Sequence, residues 1–202
     1  YRPLLHHALE AALDGGGKLV GWRHRLVGQS IMAGSPFESM MIKDGVDHVS
    51  VEGASNLPYA IPNLTVDLHT PTDIPVPVLW WRSVGSSHTA YSTEVFLDQV
   101  AAAMGKDPVA LRLELLGEHP RHAGVLKLAA EKANWGRPLK AAAGERRGRG
   151  VAVHESFSSF VAQVAEVTVK KDGSIKVDRI ICAVDCGTAI NPDNIRSQVE
   201  GS

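Results

Sequence analysis

The order of the hydrophobic patterns along this 202-residue chain constrains its fold more than any other feature. Residues 6–31 predict two strands around the turn Asp14–Gly17, because glycine adopts positive φ at little cost. A short helix over 8–13 remains an alternative for the first arm, since Ala, Leu and Glu favour helices. Residues 32–63 show little periodicity, and Leu64–His69 alternates as a strand does.

Three prolines in the next stretch, Pro71, Pro75 and Pro77, exclude a central strand or a helix there. They lead into Val78–Arg82, an apolar run that predicts a strand. Three helices follow, over residues 88–104, 107–116 and 121–134, with Asp107 as a cap and Pro108 in a first turn. The last third predicts strands again, over residues 150–154, 160–169 and 175–184, with a turn at Lys171–Ser174 and a helix opened by Asn191.

Strands, then helices, then strands predict an α+β fold: antiparallel strands, a central run of three helices, and a final antiparallel hairpin. We expect a first domain over 1–139, a linker over 140–150 rich in Ala, Gly and Arg, and a second segment over 151–202 that ends within a helix.

Composition excludes several classes of function. The formal net charge is −1, which indicates neither a nucleic-acid surface nor a polybasic membrane surface. Arg146, Arg147 and Arg149 form a short basic cluster, interpreted as a solvated loop. No run approaches the ~20 apolar residues of a spanning helix. Cys182 and Cys186 lack companion ligands, so two buried structural thiols are expected and a metal site is not.

Two segments carry candidate chemistry. In the first, Trp80–His88, an apolar strand passes through a turn of small residues into a helix start, where backbone N–H groups and Arg82 could bind an anion. From the residues alone, a capped helix with Arg82 in a surface ion pair is favoured. In the second, Asp185–Pro192, Asp185 either caps a helix or orients another group, and a structural role is favoured. A hydrolase set of Ser86, His88 and Asp98 lacks a nucleophile elbow.

The segment Trp81–Gly85, followed by Glu94–Gln99, resembles the Arg-x-x-Gly cofactor segment of the xanthine oxidase/aldehyde oxidase family. The beta subunit of isoquinoline 1-oxidoreductase and bacterial membrane-associated aldehyde dehydrogenases are the most similar group within it. Further segments match in the same order: Tyr1–Pro3, Leu13–Asp14 to Gly28–Ile31, Leu68–Pro75, Ala165–Val167, Asp185–Gly187 to Asn191–Pro192, and Gln198–Gly201.

The resemblance implies a partial molybdopterin-binding domain of a molybdenum hydroxylase that oxidises an N-heterocycle or an aldehyde with oxygen from water. It implies molybdopterin cytosine dinucleotide as the cofactor, with contacts from Arg82, Ser83, Val84, Gly85 and Ser86. This favours the anion-site interpretation of the first segment. Implied partners are a [2Fe–2S] small subunit, a cytochrome c electron acceptor and a small-molecule substrate, in a bacterial periplasmic or membrane-associated setting.

The resemblance also implies that further segments complete the cofactor site. A Gly-Gly-Phe-Gly segment is expected before Tyr1, and a Gly-x-Gly-Glu segment with the general-base glutamate is expected after Ser202. No catalytic residue or metal ligand is therefore expected among these 202 residues, and the chain alone should be inactive, bind no molybdopterin and self-associate through unpaired apolar strands. The alternative is a non-catalytic scaffold or interaction domain of the same fold.

Overall fold

The computed structural model describes residues 1–201, which divide into two compact units. Unit 1 comprises Tyr1–Leu111, and unit 2 begins at Arg112 and includes the rest of the described chain. The predicted domain boundaries at 139 and 151 stay predictions. No helix within the described residues is long and apolar enough to cross a membrane.

Unit 1 opens with an antiparallel hairpin of β1 (Leu5–Leu13) and β2 (Leu19–Gly28). Asp14 Oδ1 accepts hydrogen bonds from the backbone N–H groups of Gly16 and Lys18, both at 2.9 Å. This side-chain acceptor fixes the turn that the glycine pattern predicts. The hairpin is confirmed, and the alternative helix over 8–13 is wrong.

The third strand of this sheet, β5 (Asn63–His69), pairs with β2 in parallel. The expectation of antiparallel strands is wrong for this one pair. A parallel partner needs a connection of about a dozen residues or more, and the segment between β2 and β5 provides it. That segment contains α1 (Glu38–Met41), the two-residue strands β3 (Ile42–Lys43) and β4 (Val46–Asp47), and a 3₁₀ turn at His48–Ser50.

A buried carboxylate organises this irregular connection. Asp47 is 1% exposed and accepts hydrogen bonds from the hydroxyls of Ser30 (2.6 Å) and Ser50 (2.7 Å). It also accepts from the backbone N–H groups of Met32 (3.1 Å), Val49 (3.1 Å) and Ser50 (3.3 Å). The segment then supplies Val51 and Ala54 to the apolar core around Leu26 of β2.

Residues 78–82 do not form the predicted strand. Their backbone makes isolated bonds with the chain start: the N–H of Leu79 donates to the carbonyl of Tyr1 at 2.9 Å, and the Tyr1 amino group donates to the carbonyl of Pro77 at 3.2 Å. Prolines without an N–H prevent these contacts from extending into a ladder.

The predicted helices are confirmed. They are α2 (Ser86–Ala103), α3 (Pro108–Leu115) and α4 (Pro120–Ala133). Gly105 follows α2 with φ of 64°, and Asp107 Oδ1 accepts from the N–H groups of Val109 and Ala110 at 2.9 Å, which caps α3.

Unit 2 is built on three antiparallel strands in the order β6 (Arg146–Ser156), β7 (Ser159–Val169) and β8 (Ile175–Asp185). α4 packs on one face of this sheet. The buried side chains are Val125, Leu126 and Ala129 on the helix and Val151, Val153, Ala162, Val164 and Ala183 on the strands. The last helix, α5 (Pro192–Glu200), is capped by Asn191, whose Oδ1 accepts from the N–H groups of Asp193 and Asn194.

Two expectations for unit 2 need correction. Residues 146–150, counted with the linker, form the first half of β6, and the side chains of Arg147 and Arg149 are only 26% and 10% exposed. The solvated-loop interpretation therefore holds for Arg146 alone. Cys182 and Cys186 are free thiols, as expected, but both are only partly buried.

Candidate functional site: the Arg82 turn

The predicted cofactor segment forms a tight turn, here called the Arg82 turn (residues 81–87), that enters α2. The N–H of Val84 donates to the carbonyl of Trp81 at 3.0 Å, and Val84 has φ of 47°. Positive φ is costly for a β-branched residue, about 1–3 kcal/mol, and persists only where the surroundings enforce it. The turn is therefore held in one conformation by its neighbours.

Gly85 allows the turn to approach the 48–52 backbone. A Cβ atom at Gly85 would lie 2.0 Å from the carbonyl oxygen of Val49 and 2.7 Å from Cγ of Glu52. The N–H of Ser86 donates to Glu52 Oε1 at 3.3 Å, and the hydroxyl of Thr89 donates to the Glu52 carbonyl at 2.7 Å. A carboxylate of unit 1 thus already accepts from the first turn of α2, as expected for an anionic oxygen at a helix N-terminus.

The five predicted cofactor residues differ in exposure. Arg82 and Ser83 are exposed, Val84 is partly buried, and Gly85 and Ser86 are buried. The hydroxyls of Ser83 and Ser87 are 2.7 Å apart and share a hydrogen bond. Only Arg82 and Ser83 therefore present side chains outward. Beside them, Trp81 is 59% exposed, and the Arg2 guanidinium lies 5.1 Å from the centre of its ring.

A cavity of about 840 Å³ lies next to this turn along the chain. Its wall includes the proline-rich segment 70–79 and residues 33–36, with Tyr1 and Gln29. The lining ends at Leu79, so Arg82 is not part of this wall. The contact of Arg82 with a cofactor stays a prediction.

Sequence reasoning missed a histidine cluster in unit 1. His7 Nδ1 and His24 Nε2 are 2.7 Å apart, and the rings of His7 and His88 are centred 5.1 Å apart. Burial lowers the pKa of His24 to about 4 and the pKa of His88 to about 3, with the neighbouring histidines adding to the effect. No group of His, Cys, Asp and Glu within residues 1–201 has the arrangement of a metal site. The positions 7, 24 and 88 carry no common motif, so only tertiary contacts reveal them.

The same cluster argues against the hydrolase alternative. Both ring nitrogens of His88 are buried, and neither has a hydrogen-bond partner in the described part of the chain. Ser86 is itself buried at the helix start. A nucleophile needs a hydrogen-bonded base to be activated, and Ser86 and His88 do not form such a pair.

Asp185, at the end of β8, has a structural role. Arg121 of α4 donates to both carboxylate oxygens of Asp185, each at 2.8 Å, and also lies 4.1 Å above the ring of Phe160. Gly187 N–H donates to Asp185 Oδ1 at 3.0 Å. The hydrogen bonds from Arg121 and then from Gly187 lower the pKa of Asp185 well below its usual range. The structural interpretation from the sequence is confirmed, although Asn191 and not Asp185 caps α5.

Comparison with known protein families identifies the class of domain. The family described as molybdopterin cofactor-binding domain matches residues 97–202, more than half of the chain. The chain belongs to this family, and the resemblance drawn from the Arg82 segment and its companions is confirmed.

Individual relatives narrow the comparison. The chain is 34% identical to the beta subunit of isoquinoline 1-oxidoreductase from Brevundimonas diminuta, over 71% of this chain and 18% of that protein. It is 31% identical to a subunit of nicotinate dehydrogenase from Pseudomonas putida, over 84% and 16%. It is also 31% identical to a membrane-bound aldehyde dehydrogenase (pyrroloquinoline-quinone) of Gluconacetobacter polyoxogenes, over 90% and 25%. The chain thus spans between about a sixth and a quarter of these relatives.

Solved structures agree on the fold. Quinoline 2-oxidoreductase from Pseudomonas putida 86 superposes with a TM-score of 0.52 at 16% identity, covering 86% of this chain and 26% of that one. The aldehyde oxidoreductase from Desulfovibrio desulfuricans ATCC 27774 gives 0.51 at 18% identity, covering 87% and 21%. At such identities the likeness concerns the fold alone, and the α+β assignment as a partial molybdopterin-binding domain is confirmed.

Proposed function

We propose that this chain forms part of the cofactor pocket of a molybdenum hydroxylase that oxidises an aldehyde or an N-heterocycle. The observation that carries the proposal is the family match over residues 97–202, together with three relatives named as oxidoreductases or dehydrogenases. Their names refer to heterocyclic substrates and to an aldehyde, which supports this substrate class. Molybdopterin cytosine dinucleotide is the proposed cofactor.

The Arg82 turn has the donors that such a cofactor requires. An exposed guanidinium and the exposed hydroxyl of Ser83 can bind anionic oxygens, because planar arginine donors suit phosphate and oxo groups. Val84, Gly85 and Ser86 hold the turn in place: Val84 by its bond to Trp81, Gly85 by close approach to Val49, and Ser86 by donating to Glu52.

The division of tasks follows from this arrangement. The cofactor supplies the insertion of water-derived oxygen and the removal of two electrons from the substrate. This chain's residues bind and orient: Arg82 and Ser83 contact the cofactor's anionic groups, and a turn fixed against the 48–52 backbone keeps them in position. The general-base glutamate belongs to a segment outside these 202 residues.

The wider assembly follows from the same proposal. A [2Fe–2S] small subunit carries electrons away, and a cytochrome c accepts them. One relative is named membrane-bound, which supports a periplasmic or membrane-associated location. The 202-residue chain alone is inactive in this proposal, because its share of the relatives' length leaves most of the pocket to other segments.

The test compares two arginine variants in the complete reading frame that contains this chain, produced with its [2Fe–2S] partner. Arg82→Gln removes the guanidinium, and loss of a charge-assisted contact should lower molybdenum content about tenfold. Arg23→Gln removes an exposed arginine of the same unit that pairs with Glu10 at 3.5 Å, and should leave the metal content unchanged. Molybdenum is measured by plasma mass spectrometry. Equal content in both variants would remove Arg82 from the cofactor site, and a wild-type protein without molybdenum would favour the scaffold alternative.

A further inference from the structure

Unit 2 contains a cavity whose lining is mostly basic. The cavity measures about 300 Å³ and lies where the sheet extends beyond the end of α4. Five basic residues line it, together with a single carboxylate, that of Glu166. The basic residues are Arg137, Lys140, Arg147, Arg149 and Arg179. We call it the basic cavity.

Strand register brings the charges together. Glu166 of β7 pairs with Arg149 on β6 and with Arg179 on β8, so three charged residues form one row across the sheet. Residues two apart on a strand share a face, which places Arg147 beside this row. α4 ends at Asn134, which adopts the left-handed conformation with φ of 51° and turns the chain over the row.

Neutral carbonyl groups hold these guanidinium groups in place. Arg149 donates to the carbonyls of Trp135 at 2.8 Å, Arg137 at 2.9 Å and Asn134 at 3.0 Å. Arg179 donates to the carbonyl of Lys132 at 3.0 Å. Carbonyls fix the direction of a guanidinium without neutralising its charge, so the positive potential is retained and the donors are already positioned.

Carboxylates compensate only part of the charge. Glu166 is 3.4 Å from Arg149 and 3.9 Å from Arg147. Asp178 lies 3.3 Å from Arg147, but it also pairs with Lys176 at 3.2 Å, so this pair adds no net charge. Five cations against one carboxylate leave the lining with an excess of four positive charges.

We propose that the basic cavity binds a phosphate group, either as free phosphate or as the phosphate of a small ester. Arginines outnumber lysines in the lining, and their planar donors suit phosphate oxygens. The volume lies at the lower end of small-molecule sites, which range over about 300–1,000 Å³, so the ligand is small. The proposal does not depend on the cofactor role of the Arg82 turn, because all of its residues lie in unit 2.

The experiment titrates the 202-residue chain with inorganic phosphate, adenosine monophosphate and acetate by isothermal titration calorimetry at low ionic strength. Arg179→Gln removes one cation of the row and should weaken phosphate binding about tenfold, as expected for a charge-assisted contact. Lys140→Gln changes a lining cation outside the strands, should weaken binding severalfold, and guards against a folding defect in the first variant. Arg146→Gln removes the same charge from an exposed neighbouring position on β6 outside the cavity, and should bind as the wild type does.

The results discriminate between the possibilities. Tighter binding of the nucleotide assigns an ester as the ligand, and equal or tighter binding of inorganic phosphate assigns the free ion. No saturable binding up to about 10 mM phosphate, equal weakening in Arg146→Gln, or acetate binding as tight as phosphate would each overturn the proposal.

Discussion

Replacing Gly85 with alanine tests whether the Arg82 turn depends on close backbone contact. The glycine has φ of −65° and ψ of −31°, which alanine adopts without strain, so the effect should be steric alone. The new Cβ would lie 2.0 Å from the Val49 carbonyl oxygen, whereas ordinary carbon–oxygen contacts are about 3.3 Å or longer. The two segments must therefore separate by more than 1 Å, roughly, at this point.

The expected loss of stability follows from that separation. Forced overpacking costs about 1–3 kcal/mol. Separation also breaks the hydrogen bonds from Ser86 and Thr89 to Glu52, which contribute about 0.5–1.5 kcal/mol each. The free energy of unfolding of unit 1 should therefore fall by about 2–6 kcal/mol.

The assay is urea denaturation followed by tryptophan fluorescence, since Trp22, Trp80 and Trp81 all lie in unit 1. Gly15→Ala is the matched control: a Cβ there meets nothing within 4 Å, and the free energy of unfolding should stay within about 0.5 kcal/mol of the wild type. If Gly85→Ala unfolds at the same urea concentration as the control, the contact with Val49 does not constrain the turn.

Three further predictions follow. Asp47→Ala leaves five hydrogen-bond donations to a buried carboxylate unmatched and should destabilise unit 1 by about 3–5 kcal/mol in urea denaturation, whereas the exposed Asp73→Ala should not; equal midpoints would contradict this. Because folding lowers the pKa of His24 to about 4 and of His88 to about 3, the unfolded chain binds protons first as pH falls below about 6.5, and the free energy of unfolding should drop by about 2–4 kcal/mol from pH 7.5 to pH 5; a flat profile would show that these rings are solvated. The isolated chain should self-associate, since β8 is a sheet edge with exposed apolar side chains, and a single monomer species across a dilution series in sedimentation velocity would refute this.

Local signals account for the parts of the fold that the sequence predicts correctly. Asp14, Asp107 and Asn191 each accept from backbone N–H groups within four residues, so the turn and both helix starts depend on neighbouring residues only. The same holds for the chain reversal between β7 and β8, where Gly173 has φ of 82°. Such features can be recognised in a single sequence because the partner lies a few residues away.

Features that depend on distant partners were missed. The parallel pairing of β5 with β2 depends on the path of the connection between them, which has no periodicity. Arg147 and Arg149 appear as a solvated pair in the sequence, because Glu166 and the carbonyls that bind Arg149 lie 12 residues or more away along the chain. For the candidate site, the sequence located the turn and the helix start, but it could not show that Gly85 and Ser86 are buried behind Arg82.

The bonds made by Asp47 have a consequence for the loop between positions 33 and 46. They join residues 30–32 to residues 47–50, so the loop is closed at its base whatever its tip contains. Doubling the length of a closed loop adds only about 0.6 kcal/mol of closure entropy. The tip is therefore a place where peptides could be grafted, or where relatives could differ in length, while the base keeps its geometry.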